Sequence, residues 1–545
     1  MEKKFLLNGK RYLHFPICNA NEVLPYKEDK EYCYVDIIVD GNRRNTFYIK
    51  LATAEDKVDF YAPYYFFEEA ESVILRCEEE IEGLFDCVKV GDSVLEEPKL
   101  YPPFENEKYR QKFHFSPRIG WINDPNGLFY KDGVFHLYFQ HNPFGIFHGE
   151  VNVSWGHAVS ADGIHWTEKH DAIYPIYTEC LVASGTSFVD VNNLAGYGEG
   201  IIFSAHTELR ATKFRENMDN YTKGQYVCIT KDGGDTFVAL TEEPNIPVPR
   251  GEDWRDPKLF EADGKLCLAV YERKDERNCI SFYSSNNIVD WKLESRIMDM
   301  YECPDIFQLR AKETGTVKWV LYSGDGKYRI GKFEKYIFTE EDGGGYLDYG
   351  CCYAGQTFAN YPSIDVRYHM AWVNSDEWCN NGRFYYTGKK FSQCLSMLCK
   401  LELHETPDGK FYISRTPKTE YEVLRGEKVL RKTLRVRGKE MIQMSNNKEI
   451  TLSLKGSKTA IVNFGLAQLK FDFQSGIVTT PKGDVFVGNE ATMDVFIDQT
   501  TVEIFVNNRI SVTYTFDTKI ADIVIEGDGV EAEMDVYEML SAWRK

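Results

Sequence analysis

The sequence has no long apolar run, no excess of positive charge and no CxxC cysteine pair. No segment approaches the roughly 20 apolar residues that cross a membrane, so we expect no membrane partner. Lysine and arginine number 64 against 84 acidic residues, which gives a formal charge of −20. This negative field disfavours nucleic acid as a partner and is compatible with a neutral ligand.

The 14 cysteines are scattered, with Cys351 and Cys352 adjacent. This usage predicts reduced core thiols rather than a disulfide scaffold or a zinc site. No cluster of histidine, aspartate or cysteine has the spacing of metal ligands, so we predict neither a metal nor another cofactor. The segment MEKKFLLNGKRYLHFP lacks the apolar region of a secretory signal, which predicts a cytoplasmic protein. A secreted chain whose signal had been removed would look the same.

The composition predicts an all-β protein of several domains. A chain of 545 residues is expected to form two to four domains. Its aromatic content of 14%, with many glycine-containing turns, favours β architecture. Residues 25–100 alternate in short runs such as YCYVDIIVDG, and the proline-rich segment 96–111 follows them. We therefore predict a small N-terminal β domain over residues 1–108, serving as a packing or sugar-binding module.

A loosely repeated pattern occupies the middle of the chain. The segments SADGIHWTE, TKDGGDTFVAL and SSNNIVDWKLE each predict a strand, a polar turn and an aromatic residue that begins the next strand. Irregular repetition of short strands is typical of a β-propeller, in which blades of about four strands surround a central channel. A generic sandwich with similar hairpins is the alternative.

The last part of the chain has a strict period of two. Val502, Ile504 and Val506 alternate along one face of a predicted strand, and Asn507-Asn508 then predicts a tight turn into a second strand. This pattern predicts an antiparallel hairpin in a β-sandwich. We find no catalytic grouping of residues there.

Three acids share a local context. Asp124 lies in WINDPNG, Asp256 in WRDP and Glu302 in ECPDIF, each beside a predicted turn or a proline and before an apolar strand. Separate blades can bring such acids together at the mouth of a propeller. Glycoside hydrolysis requires two carboxylates, one to attack or to activate water and one to protonate the leaving oxygen. For any single acid, a solvated turn residue is the alternative.

These motifs resemble those of glycoside hydrolase family 32, the β-fructosidases. WINDPNG, WRDP and ECPDIF occur in the family's order, and FQHNP and WGHAVSADGIHW also match. The resemblance implies a five-bladed β-propeller over residues 109–410 and a C-terminal β-sandwich over residues 411–545. IDQTTVEIFVN resembles a strand pair of that sandwich. The first hundred residues resemble an accessory domain found in some gut-bacterial members.

The resemblance also implies a role for each motif residue. Asp124 would be the nucleophile and Glu302 the acid/base, while Asp256 would stabilise the oxocarbenium-like transition state. The reaction needs a protonated Glu302 beside an ionised Asp124. The positions that line the family's fructose pocket are Asn123, Gln140, Trp155, Ser184 and Arg255. Cys303, beside the acid/base, would tune it.

The predicted activity is that of a retaining, exo-acting β-fructosidase on sucrose, fructo-oligosaccharides or fructans. A fructosyltransferase would use the same covalent intermediate, and a non-catalytic fructan-binding protein is an alternative from another class. Arabinosidases and xylosidases also use three acids, but they would not combine WINDPNG with ECPDIF. Ala183 replaces a usual aromatic residue, and residues 379–394 lack the usual Trp-Arg-Gly segment. The preferred substrate and the oligomeric state are therefore left open.

Overall fold

The computed structural model describes residues 1–20, 31–92, 101, 103, 107–147, 152–175, 181–211, 221–249, 252–374, 390–465, 467–516 and 522–543. These residues form β-strands and two short 3-10 helices, Glu55–Lys57 and Thr419–Leu424. Their secondary structure confirms the all-β prediction. No helix in the described ranges has the length and apolarity required to cross a membrane.

Seven strands form two small sheets at the N-terminus. They are β1 (Glu2–Leu6), β2 (Tyr12–Ile17), β3 (Cys33–Val39), β4 (Asn42–Ile49), β5 (Phe60–Tyr65), β6 (Ser72–Cys77) and β7 (Lys89–Gly91). The sheet orders are β1-β6-β3-β4 and β5-β2-β7. The core between them includes Phe15, Phe47 and Tyr64, and it also contains Phe144 and Tyr174 from the following region. The N-terminal β region is therefore packed against the rest of the protein.

The strands from Gly120 to Pro417 form five sheets within the described residues. The first contains β8 (Gly120–Lys131), β9 (Val134–Asn142), β10 (Ser154–Ser160) and β11 (Thr167–Glu168). The second contains β12 (Val182–Asp190), β13 (Ile201–Ala211), β14 (Tyr221–Ile229), β15 (Val238–Ala239) and β16 (Ile246–Pro247). The third contains β17 (Trp254–Ala262), β18 (Lys265–Lys274), β19 (Arg277–Ser285) and β20 (Lys292–Met298).

The fourth and fifth sheets complete this region. The fourth contains β21 (Asp305–Arg310), β22 (Val317–Tyr322), β23 (Lys327–Glu334) and β24 (Ile337–Tyr346). The next strands are β25 (Cys352–Thr357), β26 (Arg367–Val373), β27 (Phe391–Ser392), β28 (Cys399–Glu405) and β29 (Phe411–Pro417). Among the first strands of the sheets, β8 contacts β12 and β25, β12 contacts β17, and β17 contacts β21. The sheets thus surround a common centre as a β-propeller.

Two pairings mark the limits of the propeller. β27 does not join the fifth sheet; it pairs in parallel with β8, with Phe391 opposite Gly120 and Ser392 opposite Trp121. β29 pairs with β28, so the fifth sheet continues to Pro417. The predicted boundary at residue 410 falls in the turn of this hairpin.

The repeated pattern of the sequence coincides with the turns into the last strands of the first three sheets. Asp162, Asp232 and Asn287 follow β10, β14 and β19, and each side-chain oxygen accepts a hydrogen bond from a backbone N–H two or four residues later. These contacts fix the polar turn before the aromatic residue. The predicted strand and turn are confirmed, and the aromatic residues Trp166, Phe237 and Trp291 each lie one residue before the next strand.

Ten strands follow the propeller. They are β30 (Arg425–Gln443), β31 (Lys448–Lys455), β32 (Thr459–Phe464), β33 (Ala467–Asp472), β34 (Ile477–Thr480), β35 (Gly483–Phe486), β36 (Ala491–Ile497), β37 (Thr501–Val506), β38 (Ile510–Thr515) and β39 (Asp522–Met539). The first half of β39 pairs with β32 and the second half with β31, so this strand links the two layers of a β-sandwich. β37 and β38 form the predicted hairpin, and both Asn507 and Asn508 have φ of 51°, as a type I′ turn requires.

β37 is buried on both faces. Val502, Ile504 and Val506 belong to the sandwich core. Phe505 packs with propeller residues on the opposite face, and Glu503 is completely buried there. The period of two in the sequence predicted only the face that carries Val502, Ile504 and Val506.

Glu503 is part of an ionic network between propeller and sandwich, here called the interface network: His114, Asp348, Arg415, Asp498 and Glu503. His114 bonds Asp498 through Nδ1 at 2.8 Å and Glu503 through Nε2 at 3.0 Å. Arg415 Nη1 lies 3.2 Å from Glu503 and 3.6 Å from Asp348. All five side chains are 2% exposed or less.

Candidate active site

The three predicted acids lie at irregular points of three different propeller sheets. Asp124 lies within β8, where the pairing register shifts between Ile122 and Pro125. The NDPNG segment is therefore a bulged strand and not the turn that its composition suggests. Asp256 lies at a similar shift in β17 with φ of 61°, and Glu302 lies just before β21. Bulges re-aim side chains, and here they turn acids from separate sheets toward one another.

Cys303 joins the two aspartates. Its Sγ lies 3.6 Å from Asp124 Oδ2 and 3.5 Å from Asp256 Oδ2, and its backbone N–H donates to Asp256 Oδ2 at 3.1 Å. Cys303 has φ of 49°, which turns the chain sharply after Glu302. The thiol thus contacts the predicted nucleophile and transition-state stabiliser, whereas the sequence suggested an influence on Glu302.

Arg255 contacts both Glu302 and Asp256. Its Nε donates to Glu302 Oε2 at 3.1 Å, and Nη2 contacts the same oxygen. Nε also lies 3.5 Å from Asp256 Oδ2, and Nη1 donates to Asp253. The guanidinium therefore lies between Asp256 and Glu302. We call Asp124, Asp256 and Glu302, with Arg255 and Cys303, the acid cluster.

A chain of neutral donors holds Asp124. Asn123 Nδ2 lies 3.2 Å from both Gln140 Oε1 and Asp124 Oδ1. Gln140 Nε2 donates to Ser184 Oγ at 2.8 Å, and Ser184 Oγ donates to Asp124 Oδ2 at 2.6 Å. Both oxygens of the carboxylate are thus oriented by residues that the sequence had assigned to the site.

Trp155 supports this chain from behind. It is fully buried, it pairs with Gln140 across the strands, and its Nε1 donates to the carbonyl of Ala183 at 3.0 Å. A Cβ added to Gly127 would lie 2.9 Å from the Trp155 ring, which explains the glycine of NDPNG. Because the ring is covered on all sides, its role in this structure is packing. Its predicted contact with a sugar stays a prediction.

The electrostatics of the acid cluster favour bound protons. Burial raises the pKa of Asp124 to about 6, with the charge of Glu302 adding to the effect and the Ser184 hydrogen bond opposing it. Burial also raises the pKa of Asp256 to about 7 despite the attraction of Arg255. Burial and the two aspartates hold the pKa of Cys303 well above its usual value. Ionisable groups with strongly shifted pKa values cluster at functional sites.

Two contacts were not found from the sequence. Tyr353, the second residue of β25, donates its hydroxyl hydrogen to Glu302 Oε1. Thr207 Oγ1 accepts the backbone N–H of Asp256 at 3.0 Å and so holds the bulge in place. Neither residue belongs to a motif, and only the pairing of distant sheets reveals them.

No group of three or more histidine, cysteine, aspartate or glutamate side chains in the described ranges is arranged to hold a metal ion. The segment that lacks Trp-Arg-Gly falls largely on residues 375–389, outside the described residues. The structure therefore gives no account of that departure.

The sequence matches a model of the glycosyl hydrolases family 32 N-terminal domain over residues 114–414. An extracellular exo-inulinase of Aspergillus niger is 29% identical over 314 residues, which cover 50% of this chain and 58% of the relative. A levanbiose-producing levanase of Bacillus subtilis is 32% identical over 335 residues, covering 57% of this chain and 61% of the relative. The chain thus spans about three fifths of the length of these relatives.

The fold is similar to that of a solved structure. The crystal structure of exo-inulinase from Aspergillus awamori superposes with a TM-score of 0.68 at 22% identity. It covers 80% of this chain and 99% of its own. The all-β propeller-plus-sandwich architecture is therefore shared.

Proposed function

The chain belongs to glycosyl hydrolase family 32, and on that premise we propose that it removes terminal fructofuranosyl units from sucrose, fructo-oligosaccharides or fructans. The observation that carries the proposal is the acid cluster, in which Cys303 joins Asp124 to Asp256 and Arg255 joins Asp256 to Glu302. The relatives named as inulinase and levanase support the substrate class.

The proposed reaction is a double displacement. A carboxylate oxygen of Asp124 forms a bond to the anomeric carbon of the fructosyl unit while the bond to the leaving oxygen breaks, and Glu302 gives that oxygen a proton. Glu302 then takes a proton from water, whose oxygen attacks the anomeric carbon and releases Asp124. Two inversions leave the product with the configuration of the substrate.

The surrounding residues have separate tasks in this proposal. Asp256 accepts hydrogen bonds from sugar hydroxyls, which strengthen as positive charge develops on the ring. Asn123 and Ser184 fix the carboxylate of Asp124 for attack, since their hydrogen bonds occupy both of its oxygens, and Gln140 positions these two donors. Arg255 holds Glu302 toward the leaving oxygen.

We further propose that the five sheets between Gly120 and Pro417 are five blades, with the N-terminal accessory domain near residues 1–108 and the sandwich after them. The contacts among the first strands of the sheets support this division. A cytoplasmic location and the absence of a cofactor remain predictions of the sequence.

The deciding experiment is an assay of released fructose with sucrose, kestose, inulin and levan, comparing the wild type with Asp124→Asn. We expect release by the wild type and a large loss in the variant. Product analysis at high sucrose separates hydrolysis from transfer, because a transferase yields longer fructosides and glucose. Time-resolved NMR should show β-fructofuranose first; α-fructofuranose first would contradict the retaining mechanism. Binding without release would identify a fructan-binding protein.

A further inference from the structure

A second groove lies between the N-terminal sheets and the second propeller sheet. Its volume is about 990 Å³, at the upper end of the range for ligand pockets. Within the described part of the chain, its lining does not include Asp124, Asp256 or Glu302. It is therefore separate from the acid cluster, and we call it the N-terminal groove.

Aromatic side chains form one wall of the N-terminal groove. Tyr64 lies 4.8 Å and Phe67 5.6 Å from the ring of Tyr174. On the propeller side, Tyr197 is 47% exposed and Val238 60% exposed. Large apolar side chains exposed at one concave surface indicate a binding site more often than scattered ones do. Tyr64 and Tyr174 are buried, so a ligand ring would meet the exposed surfaces of Phe67, Tyr197 and Val238.

Two residues that line the groove carry buried polar atoms without partners among the described residues. His206 is fully buried; its Nε2 bonds Glu208 at 3.3 Å, while Nδ1 has no hydrogen-bond partner among the described residues. Arg210 Nε is likewise unpartnered there, although Arg210 Nη2 contacts Glu208 at 3.0 Å. Buried polar atoms are nearly always satisfied in native proteins. Hydroxyl groups of a ligand would complete these hydrogen bonds.

Two ion pairs line the groove, beside the further charged residues Lys231, Asp232 and Glu242. Arg44 contacts Glu68 at 3.0 Å on the N-terminal side, and Arg210 contacts Glu208 on the propeller side. Such paired groups offer hydrogen-bond donors and acceptors without a strong local field. This complementarity fits a neutral, hydroxyl-rich ligand and disfavours a phosphorylated one.

The groove shares a wall with the predicted site. The ring of His206 lies 5.6 Å from that of Trp155, which backs the residues around Asp124. His206 lines the groove and Trp155 backs the residues around Asp124, so these two buried rings connect the groove with the predicted site. We infer that the N-terminal groove binds a segment of a fructan or fructo-oligosaccharide away from the bond being broken. This inference rests on the proposed function.

The groove would then act by holding the polymer near the site. Binding of one segment raises the effective concentration of chain ends at the acid cluster. In this proposal sucrose, with two sugar rings, occupies the acid cluster alone. The benefit is therefore expected for long fructans and not for sucrose.

The test uses a groove-blocking variant, Val238→Trp with Tyr197→Ala, and Phe486→Ala as a matched control. Phe486 is also an exposed aromatic residue, at 56%, but it lies on the sandwich. Binding of long inulin and of levan is measured by calorimetry in proteins that also carry Asp124→Asn, and kcat/KM is measured for the same polymers and for sucrose without that change. Thermal unfolding verifies that each variant is folded.

We expect the blocking variant to bind one of the polymers about tenfold more weakly and to lose a similar factor in kcat/KM for it, equivalent to about 1.4 kcal/mol. Its kcat/KM for sucrose and the behaviour of Phe486→Ala should match the parent protein. Unchanged polymer binding and turnover in a folded blocking variant would overturn the inference while leaving the proposed function intact. A wild type that releases fructose from no substrate would overturn both.

Discussion

The acid cluster and the interface network are both groups of buried carboxylates, but their surroundings are opposite. In the acid cluster, Arg255 is shared by Asp256 and Glu302, and Asp124 is held by neutral donors. Burial dominates there and raises the pKa of Asp124 and of Asp256.

In the interface network, buried carboxylates lie beside buried groups of positive charge. Although burial opposes it, the charge of Arg415 and the hydrogen bond from His114 lower the pKa of Glu503. Burial also disfavours a charged His114, yet its bonds to Asp498 and Glu503 raise the pKa of His114 to about 9. Buried carboxylates with matched partners join two domains, whereas Asp124 and Asp256 have raised pKa values of the kind found at functional sites.

The largest expected effect is on turnover. Asp124→Asn should lower kcat by about 10³-fold or more, because the covalent step loses its nucleophile, while the thermal unfolding midpoint does not fall. Asp132→Asn is the matched control, since Asp132 is exposed in the turn after β8. Near-normal turnover in folded Asp124→Asn protein would place the nucleophile elsewhere.

The interface network should respond in stability instead. Glu503→Gln removes the charge that Arg415 and His114 share, and we expect a loss of about 3–5 kcal/mol in the free energy of unfolding, measured with denaturant. Glu526→Gln, which breaks an exposed pair with Lys439, should cost about 1 kcal/mol or less. Equal losses in the two variants would remove the distinction between the network and a surface pair.

The pH dependence of stability tests the same region. His114 has a folded pKa of about 9 against an ordinary value of 6.5, so its stabilisation is complete below pH 6.5 and is lost as pH rises through 9. The loss corresponds to about 3 kcal/mol. His114→Gln should flatten this part of the stability profile, and His165→Gln, which changes an exposed histidine, should not. Parallel profiles for wild type and His114→Gln would show that His114 is not the titrating group.

Asp256→Asn should lower turnover and, at pH 8, raise stability. We expect kcat to fall by about 10²-fold with a smaller change in KM, because the lost stabilisation belongs to the transition state. Since the folded pKa of Asp256 is about 7 against an ordinary 3.8, its carboxyl costs stability increasingly as pH rises from 3.8 to 7; the variant should be more stable at pH 8 and lose this advantage in acid. An increase in KM at unchanged kcat would assign Asp256 to substrate binding.

Tyr353→Phe gives the smallest effect. The variant loses one hydrogen bond to Glu302, and we expect kcat to fall about tenfold with a shift in the pH profile of kcat. Tyr130→Phe, near the outer end of β8, should leave both unchanged. A loss of stability in Tyr353→Phe with an unaltered pH profile would indicate a packing role only.

Local patterns in the sequence predicted much of this molecule. The period of two and the Asn507-Asn508 turn predicted the β37–β38 hairpin, and the repeated polar turns predicted the strands beside them. The motifs predicted which acids meet. Their meeting depends on contacts between separate sheets, for which single segments carry only indirect signals.

Other features depend on tertiary structure and could not be predicted. NDPNG has turn composition, yet β9 pairs with β8 on both sides of it, and a register shift accommodates the proline. The burial of the second face of β37 was not predicted, because a glutamate in a strand is usually exposed to solvent. Glu503 is buried because Arg415 and His114, from distant parts of the chain, contact it. Tyr353 was missed because its partner Glu302 lies 51 residues earlier in the chain.

The pairing of β27 with β8 has a consequence for synthesis. As the nascent chain leaves the ribosome, β8 can pair with β9 at once, but its other edge gains its bonds to Ala359 and then to Phe391 and Ser392 only when those residues have emerged. The hydrogen bond of His114 to Asp498 forms later still, because Asp498 lies 384 residues farther along the chain. Until its own partners have emerged, β8 has an unpaired edge, and unpaired strand edges favour association with other chains. Chains interrupted before residue 391 should therefore aggregate through β8.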